Sequence, residues 1–405
     1  MPLALLALAI SAFGIGTTEF VMMGLLPEVA DDLGTSVPTA GYLVSAYALG
    51  VVLGAPLLTA VGSRVPRKRM LLLLMALFTL GNLASAFAPG FGWLVAGRFL
   101  AGLPHGAFFG VGAVVAARLV GEGRQARAVA TMFLGLTVAN IVGVPTATLL
   151  GQHLGWRATF LVVGVIGLCS MVALARLVPH VPVDAQQGLG RELRALGDRQ
   201  VLLGLLTAVL GFAGVFAVYS YLSAMTTEAM GFGESSVTLV LALFGIGMTL
   251  GALAAGPLTD RALRPTLYGS LTALAVVLVV FPFAVQVEWA ALVMVVLLGG
   301  VGFMTTTPLQ MLVMKKAKDA PTLASASNHS AFNLANAGGA WLGGAAIAAG
   351  WGWTSPALVG AVLTVAGLAV AVTAGVLDRG GRGESRVVAG AGTRGAREES
   401  HADAA

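Results

Sequence analysis

The chain has 405 residues, of which 57% are hydrophobic and 10% are charged, and its mean hydropathy is +0.90. Soluble domains are less apolar and more highly charged, so this composition excludes them and indicates a protein that crosses a membrane many times. The net charge of +5 does not indicate a nucleic-acid partner, because basic residues collect in the cytoplasmic loops of membrane proteins.

A helix needs about 20 mainly apolar residues to cross a bilayer, and the sequence contains twelve such segments. We therefore predict an all-α membrane protein with twelve transmembrane helices, numbered spans 1–12, embedded in the lipid bilayer. The predicted spans are residues 3–26, 38–61, 70–88, 92–117, 127–149, 158–178, 201–225, 236–259, 266–286, 289–314, 322–350 and 354–376.

One long polar linker, residues 179–200, divides the spans into two sets of six. We predict an N-terminal six-helix bundle over residues 1–178, a cytoplasmic linker, and a C-terminal six-helix bundle over residues 201–376. The tail, residues 377–405, is rich in Gly, Arg, Glu and Ala and has too few apolar residues to form a core, so we expect it to be disordered.

The basic residues predict the orientation of the spans. Nearly all of the 23 Lys and Arg residues lie in the even-numbered loops or in the tail, whereas Arg157 lies in an odd-numbered loop and Arg98 within a span. By the positive-inside rule both termini are cytoplasmic, and the chain is a multi-pass protein of the plasma (cytoplasmic) membrane. Glu19 and Arg98 are then the formally charged side chains at membrane depth.

Three short sequence matches, each 196 or 197 residues apart, indicate that the two bundles are related. They are Thr59–Arg67 with Gly256–Arg264, Gly155-Trp156 with Gly352-Trp353, and Ala139-Asn140 with Ala335-Asn336. Transporters built from parallel repeats hold their substrate near the middle of the membrane, between the two halves. The repeat therefore predicts two pseudo-symmetric bundles with a site between them.

The quoted stretches resemble the major facilitator superfamily, in which twelve spans form two halves and a G-x-x-x-D-R-x-x-R loop follows span 2 or 8. V-A-G-R-F-L-A-G-L around Arg98 and G-L-T-V-A-N-I-V-G-V-P over Gly135–Pro145 resemble motifs of its drug:proton antiporter branch. G-T-T-E-F-V-M-M-G-L-L-P in span 1 and G-W-R-A-T-F at Gly155–Phe160 resemble arabinose-efflux and chloramphenicol-resistance-type permeases. The resemblance covers residues 1–376 and implies a monomeric exporter driven by a proton gradient, without a cofactor.

The resemblance also implies a cytoplasmic gate and a kinked span 5. The implied gate residues are Arg64, Arg67, Gly256, Asp260, Arg261 and Arg264. The first-half loop has Ser63 and Pro66 where the family has Asp and Gly, so we expect that half of the gate to be weaker. In span 5 we expect Gly143 and Pro145 to kink the helix, because proline removes a backbone hydrogen bond.

Glu19 lies in the middle of span 1, where a carboxylate costs a few kcal/mol unless it has a partner, water or a bound proton. Glu19 and Arg98 both lie roughly 10 Å below the outer ends of their spans. We predict a coupling pair in which proton binding to Glu19 releases Arg98, since an arginine does not lose its proton in practice. The alternative is a pair that only fixes the packing of spans 1 and 4.

His105 follows Arg98 by seven residues, on the same face of span 4 and about 10 Å deeper. It is either a proton relay, because its ordinary pKa is close to physiological pH, or a neutral side chain bonded to a carbonyl. The predicted substrate-cavity residues are Phe20, Met23, Asn140, Tyr219, His329 and Asn336. Their alternatives are ordinary core packing for the apolar members and hydrogen bonds between helices for the amides and His329.

These features predict a secondary transporter that exports small lipophilic or drug-like molecules by alternating access. The sequence has no H-E-x-x-H, C-x-x-C or Walker motif, so it predicts neither an enzyme nor a metal site nor an ATP-driven pump. An arabinose-type sugar exporter and an uncoupled facilitator remain the alternatives. The scarcity of Asp, Glu and Gln within the spans argues against the sugar, and a facilitator does not need Glu19.

Overall fold

The computed structural model describes residues 3–62, 65–120, 125–179, 197–317 and 321–402, which form helices and short connections without a strand. Spans 1–6 are the helices Leu3–Gly24, Tyr42–Gly62, Arg67–Ala86, Phe91–Gly102 with His105–Arg118, Gln125–Val138 with Val144–Leu154, and Trp156–Leu177. Spans 7–12 are Arg199–Tyr219, Val237–Ala284 for spans 8 and 9 together, Glu288–Met304 with Thr306–Lys316, Pro321–Ala348, and Ser355–Ala402. Short helices, Leu26–Asp32, Val37–Ala40 and Leu222–Glu228, follow spans 1 and 7.

The predicted twelve spans are all present as helices. Within the described ranges, 10 helices are long and apolar enough to cross a membrane. One of these, Glu234–Ala284, contains both spans 8 and 9. The two spans are separated at Ala262, where the backbone leaves the helical conformation (φ −157°, ψ 82°). The helix Pro321–Ala348 is not among the 10, yet it occupies the place of span 11 and packs against spans 2 and 7.

The sequence repeat has a backbone counterpart at the start of the last span of each half. Gly155 (φ 86°) lies between spans 5 and 6, and Gly352 (φ 88°) lies between spans 11 and 12. Residues with a Cβ rarely adopt such left-handed conformations, whereas glycine adopts them at little cost. The shared Gly-Trp pair therefore marks the same turn in both halves.

Spans 2 and 4 contact each other backbone to backbone, and so do spans 8 and 10. A Cβ added at Gly50, Gly54 and Gly102 would lie 2.3, 2.0 and 2.1 Å from the carbonyl oxygens of Phe99, Leu103 and Tyr47. A Cβ added at Gly247, Gly251 and Gly299 would lie 2.2, 1.8 and 2.4 Å from those of Val296, Gly300 and Phe244. Each residue of the second set follows its counterpart by 197 positions, so the predicted pseudo-symmetry extends to helix packing. We call these two contacts the glycine seams.

The N-half, spans 1–6, meets the C-half, spans 7–12, mainly through span 2 against span 11 and span 5 against span 8. We call the end of the bundle that holds Leu26–Asp32 and Leu222–Glu228 the outer end. There, the Ser45 hydroxyl donates to the carbonyl of Ala337 (3.0 Å), and the Ser223 hydroxyl donates to that of Gly24 (3.2 Å). These bonds join the two halves on the outer side of the site described below.

The last helix continues to Ala402 and so includes most of the tail that the sequence predicts to be disordered. The expectation of a disordered tail stays a prediction. The central linker, predicted over 179–200, lies mostly outside the described residues.

Candidate functional site

A cavity of about 430 Å³ lies between the two halves. Its walls come from spans 1, 4, 5, 7, 8, 10 and 11, which places it where the sequence repeat predicts a site. Seven phenylalanines line it: Phe20, Phe109, Phe133, Phe212, Phe216, Phe303 and Phe332. Ligand pockets of proteins are lined mainly by apolar and aromatic side chains with a few polar groups that fix orientation, and this cavity has that composition.

Ring stacking joins the halves on one side of the cavity. Phe109 of span 4 stacks on Phe133 of span 5, with ring centroids 5.2 Å apart. His329 of span 11 lies parallel to both rings, at 6.5 Å from Phe109 and 6.2 Å from Phe133. These three parallel rings form a flat wall on which an aromatic ligand could stack.

Among the described residues that line the cavity, Glu19 provides the carboxylate group. Its side chain is 7% exposed, and its Oε2 atom lies 4.0 Å from Nδ1 of His105. The carboxylate therefore sits in an enclosed site whose nearest basic group is an imidazole.

His105 lies on the same span as Arg98 and reaches Glu19 with its side chain. The backbone keeps helical angles through Leu103 (φ −49°, ψ −46°) and Pro104 (φ −76°, ψ −16°), which separate the two assigned helices of span 4. Nδ1 of His105 also lies 3.0 Å from the hydroxyl of Tyr47. The imidazole is thus hydrogen-bonded to a side chain rather than to a backbone carbonyl.

Arg98 bonds to the residue next to Glu19 rather than to Glu19 itself, and the predicted coupling of the two groups stays a prediction. In the part of the chain that the structure describes, no ion pair joins them; Nη1 of Arg98 instead donates to the hydroxyl of Thr18 (3.1 Å). The guanidinium is fully buried and lies 4.5 Å from the ring centroid of Tyr47 and 5.6 Å from that of Phe160. Cation–π contacts with two rings stabilise the buried charge, and Tyr47 connects Arg98 to His105.

Three of the six predicted cavity residues line the cavity, namely Phe20, Asn140 and His329. Met23, Tyr219 and Asn336 are buried outside it. Tyr219 stacks on Phe244 at 4.0 Å, and both amide atoms of Asn336 lack a hydrogen-bond partner.

Helical spacing could have identified missed lining residues on spans 4, 5 and 11, but not those on spans 8 and 10, where no cavity residue was predicted. Phe109 follows His105 by one helical turn, and Phe332 and Asn333 follow His329 by three and four residues. Such neighbours share a helix face. Once one lining residue of a helix is known, helical spacing predicts its neighbours. Spacing alone does not identify that first lining residue.

Span 5 contains a π-helical turn, Ala139–Gly143, directly before the helix that begins at Val144 and includes Pro145. Proline supplies no backbone N–H, and the wider turn is the structural form of the irregularity that the sequence predicts. A Cβ at Gly143 would lie 2.4 Å from the hydroxyl oxygen of Thr17. Gly143 therefore also lets span 5 approach span 1.

The predicted gate residues are dispersed. Arg64 lies outside the described residues, and Arg67 begins span 3 with its Nε buried and without a partner. Nothing lies within 4 Å of a Cβ built at Gly256, and Asp260 and Arg261 are exposed. Arg264 and Lys316 both bind the carboxylate of Asp378 at the end of span 12. The charge contact of the second half therefore uses Asp378 rather than Asp260.

Known proteins are similar to this chain over most of its length. The family pattern described as Major Facilitator Superfamily matches residues 8–340. The inner membrane transport protein YdhP of Escherichia coli (strain K12) is 48% identical over 366 residues, which cover 90% of this chain and 94% of the relative. The chloramphenicol resistance protein of Streptomyces lividans is 35% identical over 386 residues, which cover 90% and 96%. The crystal structure of a D-xylose-proton symporter matches with a TM-score of 0.74 at 16% identity and covers 91% of this chain and 96% of that chain.

Proposed function

Because this chain belongs to the major facilitator superfamily of membrane transporters, we propose that it exports small lipophilic, drug-like molecules in exchange for protons by alternating access. Family membership makes the chain a multi-pass membrane transporter and not an enzyme, as its sequence predicts. The observation that carries the proposal is the position of Glu19, a carboxylate in an aromatic cavity between the halves.

Glu19 is the group on which proton and ligand compete. An ionised carboxylate in an enclosed apolar site is costly without a partner, so it binds either a proton or a ligand that donates hydrogen bonds or carries positive charge. Arg98 stays charged, and its contacts with Thr18 and Tyr47 keep it out of the cavity. His105, which contacts both Glu19 and Tyr47, passes the proton between the cavity and the carboxylate.

The wall composition supports a lipophilic ligand. Aromatic rings supply large apolar area and stacking faces, and Phe109, Phe133 and His329 present three parallel rings. The relative from Streptomyces lividans is named for chloramphenicol resistance, which agrees with an aromatic drug as cargo.

A sugar such as arabinose is the second candidate, and one observation favours it. Neutral polar side chains also line the cavity: Thr137, Asn140, Thr249, Thr306, Gln310 and Asn333. Hydroxyl and amide groups can bind the hydroxyls of a sugar. A lipophilic drug would bind mainly to the aromatic rings of the cavity, whereas a sugar would bind mainly to its polar side chains.

We place the protein in the plasma membrane as a monomer, with both termini and the linker in the cytoplasm. The distribution of Lys and Arg supports this orientation. In the proposed cycle the cavity opens in turn to each side of the membrane, while the glycine seams keep spans 2 and 4, and spans 8 and 10, together as rigid pairs.

Proton release on ligand addition tests the proposal. Chloramphenicol, ethidium or arabinose is added to detergent-solubilised protein in weakly buffered solution, and the change in pH is recorded for the native chain and for Glu19→Gln. We expect release from the native chain with one class of probe and no release from Glu19→Gln.

The matched control is Glu288→Gln, which removes an exposed carboxylate at the start of span 10 and should release protons like the native chain. Equal binding of a probe to the native chain and to Glu19→Gln, without release from either, would show an uncoupled facilitator. Release with arabinose alone would establish the sugar exporter.

A further inference from the structure

Glu28 is a second carboxylate with an unusual environment, at the outer end of the bundle. It lies on the short helix Leu26–Asp32, which follows span 1 and packs against Leu222–Glu228 of the C-half. Oε1 of Glu28 accepts a hydrogen bond from Nε2 of Gln152 at 3.0 Å, but Oε2 is buried and has no hydrogen-bond partner among the described residues.

The unpartnered oxygen makes the ionised form of Glu28 costly while the outer end is closed. A buried acceptor without a partner loses its hydration and gains nothing in return. Burial raises the pKa of Glu28, its own backbone N–H and Gln152 lower it, and Glu234 of the C-half raises it further. The closed arrangement therefore holds a proton on Glu28 more tightly than water does, and the repulsion from Glu234 acts between the two halves.

We propose that Glu28 is a further proton-binding site, separate from Glu19, whose protonation closes the outer end and whose ionisation opens it. Opening exposes Oε2 to water and moves Glu28 away from Glu234. The inference rests on the proposed function in one respect, since it requires that the outer end opens at all.

Linkage between protonation and closure sets the direction in which pH shifts the outer end. Closure raises the pKa of Glu28 above its ordinary value of 4.5, so the contribution of Glu28 to closure is fully present below that value. It is lost as the pH rises toward the raised pKa. Between these limits the closed-to-open ratio falls by up to about tenfold per pH unit, because one proton is released on opening.

The other ionisable groups around this helix do not replace Glu28. Asp32 is paired with Arg157, at 2.5 Å between Oδ2 and Nη1, and also accepts from Nε1 of Trp156. Asp31 is exposed beside it on the same helix, and Glu228 and His153, on the neighbouring segments, are exposed as well. Their charges face solvent in either arrangement.

A distance measurement across the outer end tests the inference without any ligand. Spin labels are attached at Leu154→Cys in the N-half and Ser235→Cys in the C-half, both exposed sites, after the native Cys169 is replaced by Ser. Distance distributions are recorded in lipid vesicles between about pH 4 and pH 8. We expect the longer distance to gain population as the pH rises in the native background, and no such change in Glu28→Gln.

Glu234→Gln provides a second variant. In it the outer end should open at a lower pH than in the native chain, because the repulsion that raises the pKa of Glu28 is removed. The matched control, Glu288→Gln, should behave like the native chain. A pH-independent distribution in the native background, or a transition unchanged in Glu28→Gln, would overturn the inference while leaving Glu19 coupling intact. A single distance at every pH and with every probe would overturn both the inference and the proposed alternating access.

Discussion

The glycine seam between spans 2 and 4 gives a prediction whose magnitude follows from one distance. In Gly54→Ala the added Cβ would lie 2.0 Å from the carbonyl oxygen of Leu103, whereas ordinary contact begins at 3.4 Å. The two helices must therefore separate locally by about 1.4 Å (3.4 − 2.0). Overpacking of this kind costs about 1–3 kcal/mol, and the better helix propensity of alanine returns about 0.5–1 kcal/mol. We expect a net loss of up to about 2.5 kcal/mol.

Thermal unfolding in detergent, followed by tryptophan fluorescence, measures this loss as a lower Tm. The matched control is Gly110→Ala in span 4, the partner helix of this seam, where nothing described lies within 4 Å of the added Cβ and where the Tm should stay the same or rise. Gly251→Ala, the counterpart in the C-half with a Cβ 1.8 Å from the carbonyl oxygen of Gly300, should destabilise at least as much as Gly54→Ala. If the Gly54→Ala and Gly110→Ala variants have the same Tm, spans 2 and 4 are not in backbone contact.

Three further predictions concern the buried charge, the outer loops and the aromatic lining of the cavity. Arg98→Lys should slow transport into inverted vesicles, by about tenfold or more, of any probe that causes proton release from the native chain. An ammonium cannot hydrogen-bond to Thr18 and stack on the rings at the same time. Unchanged transport would mean that only the positive charge of Arg98 matters. Bonds from Arg157 and Trp156 lower the pKa of Asp32 below 3.8, so its contribution to stability is present above that value and is lost as the pH falls through the lowered pKa. Thermal melts of Asp32→Asn should lack this acid-dependent part, and equal acid sensitivity of both proteins would contradict it. Phe212→Ala should weaken binding of ethidium about tenfold by equilibrium dialysis but leave arabinose binding unchanged, and equal losses for both would indicate a collapsed cavity.

Properties that depend on local composition were predictable from the sequence. The twelve spans and the place of Glu19 in a central cavity follow from the cost of transferring charge or backbone into lipid. The 197-residue repeat follows from the matching motifs of the two halves. The repeat also extends to contacts that the matched motifs do not contain, since the glycine seams of the two halves use corresponding residues.

The geometry of the coupling site was not predictable in the same way. Counting residues from the ends of spans gives the depth of Arg98 and Glu19 but not the direction in which each side chain leaves its helix, and Arg98 points to Thr18 and Tyr47 instead. His105 was predicted to lie on the same face of span 4 as Arg98, but its hydrogen bond to Tyr47 and its position beside Glu19 depend on side chains of spans 1 and 2. The direction of a side chain depends on the neighbouring helices, which one sequence does not specify.

The composition of span 11 has a consequence for biosynthesis. Pro321–Ala348 carries Asn328, Asn333 and Asn336 and is not among the helices that are apolar enough to cross a membrane by composition. Amide side chains raise the free energy of inserting an isolated helix into lipid. In the folded protein a Cβ at Gly339 would lie 2.4 Å from the carbonyl oxygen of Ala213 in span 7, so this helix is covered by an earlier one. Span 7 is synthesised before span 11, so we expect it to be in place as a packing partner when span 11 enters the membrane.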